Sequence, residues 1–454
     1  MRHFSSLRSG PGAAARSGPK AARRALLPVG ALLLALAAAG TSASAAPAAP
    51  GGATAEDGGT VSPATAQVEV PADVTAGVAV YDRQTGTFTE QLNTSTQFRS
   101  ASVVKLLLVL DFFRNRGPNY TIPAADRALL EPMLRSSDDD AADHYWEVNG
   151  GAAIIERMKQ DLALNDTAGP PAGYEGYWGY TAVSARDTVK IYRYILEQAA
   201  APVREFIMSN LRQSTRCASD SFDQHFGIPG AFEKPWAVKQ GWSGEYEKGT
   251  CGPDGARNAT AASKSAGRDA AGAKSADAKP KGTKSKSTKS AGAEPKGAKS
   301  ADAEPKGTKS AESVNLSRPA LHTTGTVGSG DRTIVAVLTL HPLGTTYGQA
   351  YTDIGRLTRS LDVPGATRPA GKWYGTWGER VAVRTATTTG SDSKTRLPAG
   401  VEVLISCQKQ GETVSVPPYT NNWWAYLPQY GGYMSNIYVS APDNKLPDVP
   451  VCAS

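Results

Sequence analysis

Regular alternation of apolar and polar positions begins at Gly77-Val78-Ala79-Val80-Tyr81 and resumes at Thr87-Phe88-Thr89-Glu90-Gln91, with the polar, Gly-bearing stretch Asp82–Gly86 between. Two strands around a turn predict a hairpin. Ser102–Phe113 is apolar on nearly every face, which predicts a helix buried inside a domain rather than an amphipathic surface helix. Asn115-Arg116-Gly117-Pro118 ends it. Helical spacing recurs at Ala124–Leu134, Asp138–Glu147, Ala152–Leu162 and Ala185–Gln198, and Gly, Pro and aromatic residues mark 168–180 as a loop. Strands are expected near Trp236–Lys239 and at Thr333–Leu340, and a helix at Gly344–Leu361. This order describes a mixed α and β domain, an antiparallel sheet flanked by helices. Beyond it, Arg380–Arg384, Gly400–Ile405, Trp423–Leu427 and Gly431–Met434 are short alternating segments split by Gly, Asn, Pro and Ser, which predict a small all-β barrel.

Other stretches cannot build a core. Residues 258–315 carry near-copies of one decapeptide, ADAKPKGTKS, AGAEPKGAKS and ADAEPKGTKS, without an aromatic residue, Ile or Leu. Such a composition cannot offset its ordering entropy, and disorder is expected. It reads either as a basic segment attracted to wall polyanions or as neutral repeat expansion. At the other end, Arg2, Arg8, Arg16, Lys20, Arg23 and Arg24 precede the apolar Ala25–Ala39 and then Ala43-Ser44-Ala45, the pattern of a cleavable export signal over 1–45. Arg23-Arg24 is compatible with twin-arginine export as well as the general route. An Ala/Pro/Gly tether follows at 46–69. The main domain then spans 70–257 and 316–368, and the barrel 369–454.

The net charge of +7 on 454 residues changes meaning once it is located. The signal holds six Lys/Arg and no acid, the repeat tract twelve Lys/Arg against six acids, and the remainder is left at −5. A structured nucleic-acid surface is therefore not expected. Neither is a stable membrane anchor, since no later apolar run is long enough. The cysteines divide as Cys217 and Cys251 in the main domain and Cys407 and Cys452 in the barrel, an even pair in each, so Cys217–Cys251 and Cys407–Cys452 bridges are expected in an oxidising space. Neither these spacings nor the five histidines match a metal-ligand pattern, and no metal or cofactor is expected.

Ser102-Val103-Val104-Lys105 places a hydroxyl and an amine three residues apart, neighbours on one helical face. A partly desolvated Lys could take the Ser proton. Alone, SxxK arises by chance about twice in a chain this long. Two further elements follow in order: Ser137-Asp138-Asp139 at a helix start, which capping alone would also explain, and Lys239-Gln240-Gly241 on a strand. Together the three resemble the SxxK, SDN and KTG signature of the serine β-lactamase and penicillin-binding protein family, class A β-lactamases among them, over about 70–257 and 316–368.

The resemblance implies Ser102 as the acylated nucleophile, Lys105 as its proton acceptor, and Ser137 as the proton bridge to the leaving nitrogen. It implies Lys239 beside the substrate carboxylate, an oxyanion hole from the backbone N–H groups of Ser102 and Trp242, and substrate contacts from Asp139, Gln240, Gly241 and Ser243. Gly241 would leave room for substrate against the strand. The chain departs from the pattern at two of these. Asp139 stands where an Asn amide would donate, and a carboxylate only accepts. Gln240 replaces a hydroxyl, although its amide could donate instead. Glu175 is the only acid between Asp166 and Asp187, so no deacylating base is evident.

Residues 380–452 resemble bacterial SH3-type domains of secreted actinobacterial wall proteins, which implies an SH3-like barrel holding wall material. Adjacent Trp423 and Trp424 must face opposite sides of a strand, so one at most is core and the other is a candidate ligand platform. Three functions stay open: a secreted, monomeric serine hydrolase forming an acyl-enzyme with a β-lactam or a D-alanyl peptide of peptidoglycan, an esterase or amidase of the same family, and a catalytically degenerate wall-binding protein.

Overall fold

The computed structural model describes residues 68–117, 119–244, 246, 251 and 314–453. The expected signal at 1–45, nearly all of the tether at 46–69 and nearly all of the repeat tract at 258–315 lie outside them. Strands β1 (Thr75–Asp82) and β2 (Thr87–Leu92) form the expected antiparallel hairpin. They join β5 (Trp236–Ser243), β6 (Ala320–Val327) and β7 (Thr333–Leu340) in a five-stranded antiparallel sheet of order β2-β1-β7-β6-β5. A two-residue ladder joins β3 (Phe98–Arg99) to β4 (Ala182–Val183).

Both faces of the large sheet are covered, which is why TIVAVLTL reads as a continuous apolar run. On one face Ala79, Tyr81, Ala237, Ile334, Ala336 and Leu338 pack with the helices α1 (Lys105–Phe113), α2 (Ala124–Arg135), α3 (Asp139–Val148), α4 (Ala153–Leu162), α5 (Ala185–Arg193) and α6 (Ala201–Arg212). On the other face Val78, Val80, Val238, Val335 and Val337 pack with the short α7 (Ile228–Ala231) and with α8 (Tyr347–Ser360). Every residue of α1 is buried, and each large aliphatic side chain taken fully out of water contributes about 1.5–3 kcal/mol. Its buried Asp111 is held by a two-point contact from Arg157 of α4 at 2.8 and 2.9 Å.

The helix expected to reach Gln198 instead ends at Arg193 and continues as one π-helical turn, Tyr194–Gln198. The pattern reading missed α6, which opens with Pro202 in its first turn, and β6, whose sequence ALHTTGTV is polar yet wholly buried. Burial of that strand is tolerated because its side chains bond backbone: Thr324 Oγ1 donates to Lys239 O at 2.5 Å, and Thr323 Oγ1 accepts from Ile228 N–H at 3.0 Å.

The C-terminal strands are β8 (Lys372–Gly375), β9 (Val381–Arg384), β10 (Ser393–Leu397), β11 (Glu402–Ile405), β12 (Cys407–Val416), β13 (Tyr419–Leu427) and β14 (Gly432–Ser435). They form a sheet of order β10-β9-β14-β13-β12 and a separate β11–β8 pair. Their apolar residues Val383, Leu397, Val403, Ile405, Leu427 and Met434 belong to the same cluster as Ala350, Ile354 and Leu357 of α8. At this junction Thr352 Oγ1 donates to Gly400 O and accepts from Glu402 N–H, and Glu402 pairs with Arg356 and Arg359. Cys217 is bonded to Cys251 and Cys407 to Cys452, with Cα separations of 5.4 and 4.9 Å. Among the described residues no helix is long and apolar enough to cross a membrane.

Candidate active site

Ser102 lies in a 3₁₀ turn, Ala101–Val104, that runs into α1, with Lys105 as the first α-helical residue. The turn is tied down by Ser100 N–H, which donates to Thr181 O at 2.7 Å. The residue before the hydroxyl, Ala101, has a φ of +44°, and Ser137, on the loop entering α3, has a φ of +56°. Non-glycine residues in the left-handed region cost about 1–3 kcal/mol each and persist only where packing overrules them. Both sit at the point where a polar side chain is delivered to the same place.

That place is a continuous hydrogen-bonded chain. Lys105 Nζ lies 3.0 Å from Ser102 Oγ, 2.7 Å from Ser137 O, 3.3 Å from Ser137 Oγ and 2.5 Å from Asp139 Oδ1. Lys239 Nζ, arriving on edge strand β5, lies 2.8 Å from Ser137 Oγ and 3.1 Å from Gln240 O. Ser102, Lys105, Ser137 and Lys239 are all buried. Two contacts of Lys105, Ser137 O and the Asp139 carboxylate, can only accept, so each takes an N–H. Ser102 Oγ lies within hydrogen-bond reach of the same nitrogen, so a neutral amine there could receive the hydroxyl proton. Burial, and then the positive charge of Lys105, hold the Lys239 amine well below its ordinary range, while Asp139 and Asp220 pull the other way. Lys239 is therefore a second buried amine at the far end of the chain.

Two expectations need correction, and a third divides. The Gln240 amide does not face this site: its Nε2 donates to Phe226 O at 2.7 Å and the residue is buried, because successive side chains on a strand point to opposite faces. Gly241 is required by the fold, since a Cβ there would meet Ser100 O at 2.9 Å and Val103 at 3.1 Å, so the nucleophile turn itself lies against the strand. Of the two adjacent tryptophans Trp424 is the core one, being 2% exposed with its indole N–H donating to Glu412 O at 2.9 Å. Trp423 is half-buried, with Lys445 over its ring at 5.3 Å.

Of the other expected residues, Trp242 follows Gly241 on β5, its ring stacked on Phe222 at 4.7 Å and its Nε1 donating to Asp220. The Ser243 hydroxyl is buried with no partner among the described residues. Glu175 is exposed, its carboxylate accepting Gly173 N–H and held low by backbone donors. Pattern reading missed Trp178 and Asp143. The Trp178 ring lies 4.6 Å from Lys105 Nζ, and its indole N–H donates to Asp143 Oδ1 at 2.6 Å. Burial raises the Asp143 carboxyl, against the pull of the Trp178 N–H. The i, i+4 spacing of Asp139 and Asp143 was the available signal.

A cavity of about 350 Å³ lies beside the C-terminal end of α1, lined by Leu110, Phe113, Met158 and Val203 among others, and none of the four chain residues lines it. No group of three or more His, Cys, Asp or Glu side chains among the described residues is placed to hold a metal.

No family model matches the chain. Curated relatives include LppW of Mycobacterium tuberculosis and of Mycobacterium bovis, whose name describes a candidate lipoprotein, 37% identical over 173 residues. That alignment takes in 37% of this chain, which spans about half, 54%, of the length of those relatives. Similar solved structures include PBP-A, at 14% identity and a TM-score of 0.38, covering 64% of this chain and 90% of that one. They also include a class A β-lactamase from Mycobacterium abscessus, at 14% and 0.37, covering 63% and 91%. The β-lactamase of Streptomyces albus G stands at 13% and 0.37, covering 63% and 92%. At these values we take function from the site itself.

Proposed function

We propose that this chain is an exported serine hydrolase of the β-lactamase and penicillin-binding type, with 70–257 and 316–368 as its catalytic domain. The observation that carries this reading is the buried chain Ser102–Lys105–Ser137–Lys239, a nucleophile joined to two amines through a second hydroxyl. Ser102 Oγ attacks a strained or D-alanyl amide carbonyl; the C–O bond forms, the carbonyl electron pair moves to oxygen, and the hydroxyl proton passes to Lys105. Backbone N–H groups of Ser102 and Trp242 would hold the oxyanion. As the C–N bond breaks, Ser137 gives its proton to the leaving nitrogen and is reprotonated from the amines on either side. Burial lowers the affinity of Lys239 for a proton, which favours its giving one up to Ser137.

The two disulfides support an extracellular or wall-associated setting. In this reading residues 369–454 are an SH3-type module for wall material, with Trp423 and Lys445 as its candidate platform. A non-catalytic wall binder is the second reading, favoured by one observation: Ser102 is only 6% exposed.

Incubation of the full mature chain with a fluorescent penicillin separates them. A covalent adduct that disappears in Ser102→Ala is expected, and a lasting one marks penicillin binding while loss of label with turnover marks a β-lactamase. Absence of adduct together with Ser102-dependent p-nitrophenyl ester hydrolysis would assign the esterase, and absence of both would leave the binder.

A further inference from the structure

Asp139 does more at this site than anchor Lys105. Its Oδ1 accepts from Lys105 Nζ at 2.5 Å, yet the side chain is 61% exposed, so a carboxylate beside the nucleophile stays in contact with solvent. Lys105 contacts both this carboxylate and Ser102 Oγ, so Asp139 stands no farther from the nucleophile than those two hydrogen bonds together. An acyl group on Ser102 therefore lies within reach of an acceptor-only, negatively charged atom. A substrate carbonyl presented there meets repulsion; an N–H is accepted, and an ammonium is accepted and attracted as well. Nearby charges keep that preference. Asp138 spends one oxygen on Ala141 N–H, Asp140 is exposed, and the Asp143 carboxyl is bound to Trp178. Of the two amines, Lys105 offsets part of the Asp139 charge only while it is protonated, and burial disfavours the charged form of Lys239.

We infer that Asp139 makes this enzyme selective for acyl donors whose acylamino side chain carries a free ammonium over those whose side chain is neutral. This rests on the acyl-enzyme reading above and narrows its substrate class.

The test compares benzylpenicillin with ampicillin, which adds one α-amino group to the same side chain, as second-order acylation rates of the full chain read by intact mass. Ampicillin is expected to react about three- to fivefold faster at low salt and pH 6.5, the range of one partly exposed ion pair. That ratio should shrink on raising the salt, and again as the pH passes the substrate amine's own titration, near about 7.7 for an α-amino group. In Asp139→Asn the ratio should fall to one or below, with benzylpenicillin gaining. A wild-type ratio of one, or a ratio indifferent to salt and to Asp139→Asn, overturns the inference while leaving the acyl-enzyme intact. Absence of any Ser102-dependent adduct with either compound overturns the acyl-enzyme reading and this inference with it.

Discussion

Two buried polar clusters in this molecule look alike in composition and differ in kind. In the C-terminal region Gln408 is wholly buried. Its amide donates to Leu446 O and Val449 O, and its oxygen accepts from Leu446 N–H and Asn436 Nδ2. Every donor and acceptor of that neutral side chain has a partner, and the result pins the C-terminal segment to the sheet. Around Ser102 the buried groups are two amines sharing one hydroxyl, with Ala101 and Ser137 in left-handed backbone. Nothing about stability calls for that second arrangement. Satisfied neutral amides build structure, whereas paired amines competing for protons on a strained backbone mark chemistry.

The comparison breaks most decisively at Lys239. Lys239→Met should lower acylation by fluorescent penicillin about 10²–10⁴-fold. Its unfolding midpoint should stay equal or rise, because an amine whose charged form is penalised by burial is replaced by an apolar chain of similar length. A marked loss of stability would make the amine structural, like Gln408. At the junction between regions, a Cβ on Gly348 would fall 1.9 Å from Ala399 O, so Gly348→Ala should cost about 1–3 kcal/mol by denaturant melt. Gln408→Leu should cost about 2 kcal/mol, since it orphans two carbonyls and an N–H, and should leave the acylation rate unchanged.

The smallest effect is a slope with pH. His322 donates from Nε2 to Arg99 O and accepts Thr339 N–H at Nδ1, a neutral tautomer with both nitrogens spent. Burial lowers it to about 4, and His341 to about 3. In the unfolded chain both titrate near 6.5, so between these values the unfolded state binds more protons. Their contribution is complete above about pH 6.5 and is lost as pH falls toward 4, with a slope of at most about 1.4 kcal/mol per pH unit for each histidine, measurable as a falling thermal midpoint. A midpoint flat from pH 7 to 4 would contradict it.

The sheet-and-helix architecture was legible where one periodicity dominates: the hairpin, the buried run after Ser102, and the strand at Thr333–Leu340. It was illegible at β6, where threonine and histidine are buried because neighbouring strands supply their hydrogen bonds, a fact absent from the local pattern. The site divides the same way. Ser102 and Lys105 meet through helical spacing alone, which a one-dimensional pattern specifies. Ser137 and Lys239 reach them by long-range pairing, and the motifs named these residues without stating what they would touch. Trp178 over Lys105, the Gln240 amide turned to Phe226, and Gly241 pressed on Ser100 follow from which face of β5 meets the nucleophile turn.

Taken by itself, the order of residues determined the strongly periodic helices and strands, which cysteines would pair, and that a hydroxyl and an amine would be neighbours. The tertiary structure alone decided that two amines share a hydroxyl, that a carboxylate caps one of them, and that the C-terminal strands pack on α8. Local periodicity is set by backbone geometry within a few residues. Desolvation and charge pairing depend on what the rest of the chain brings within a few ångströms.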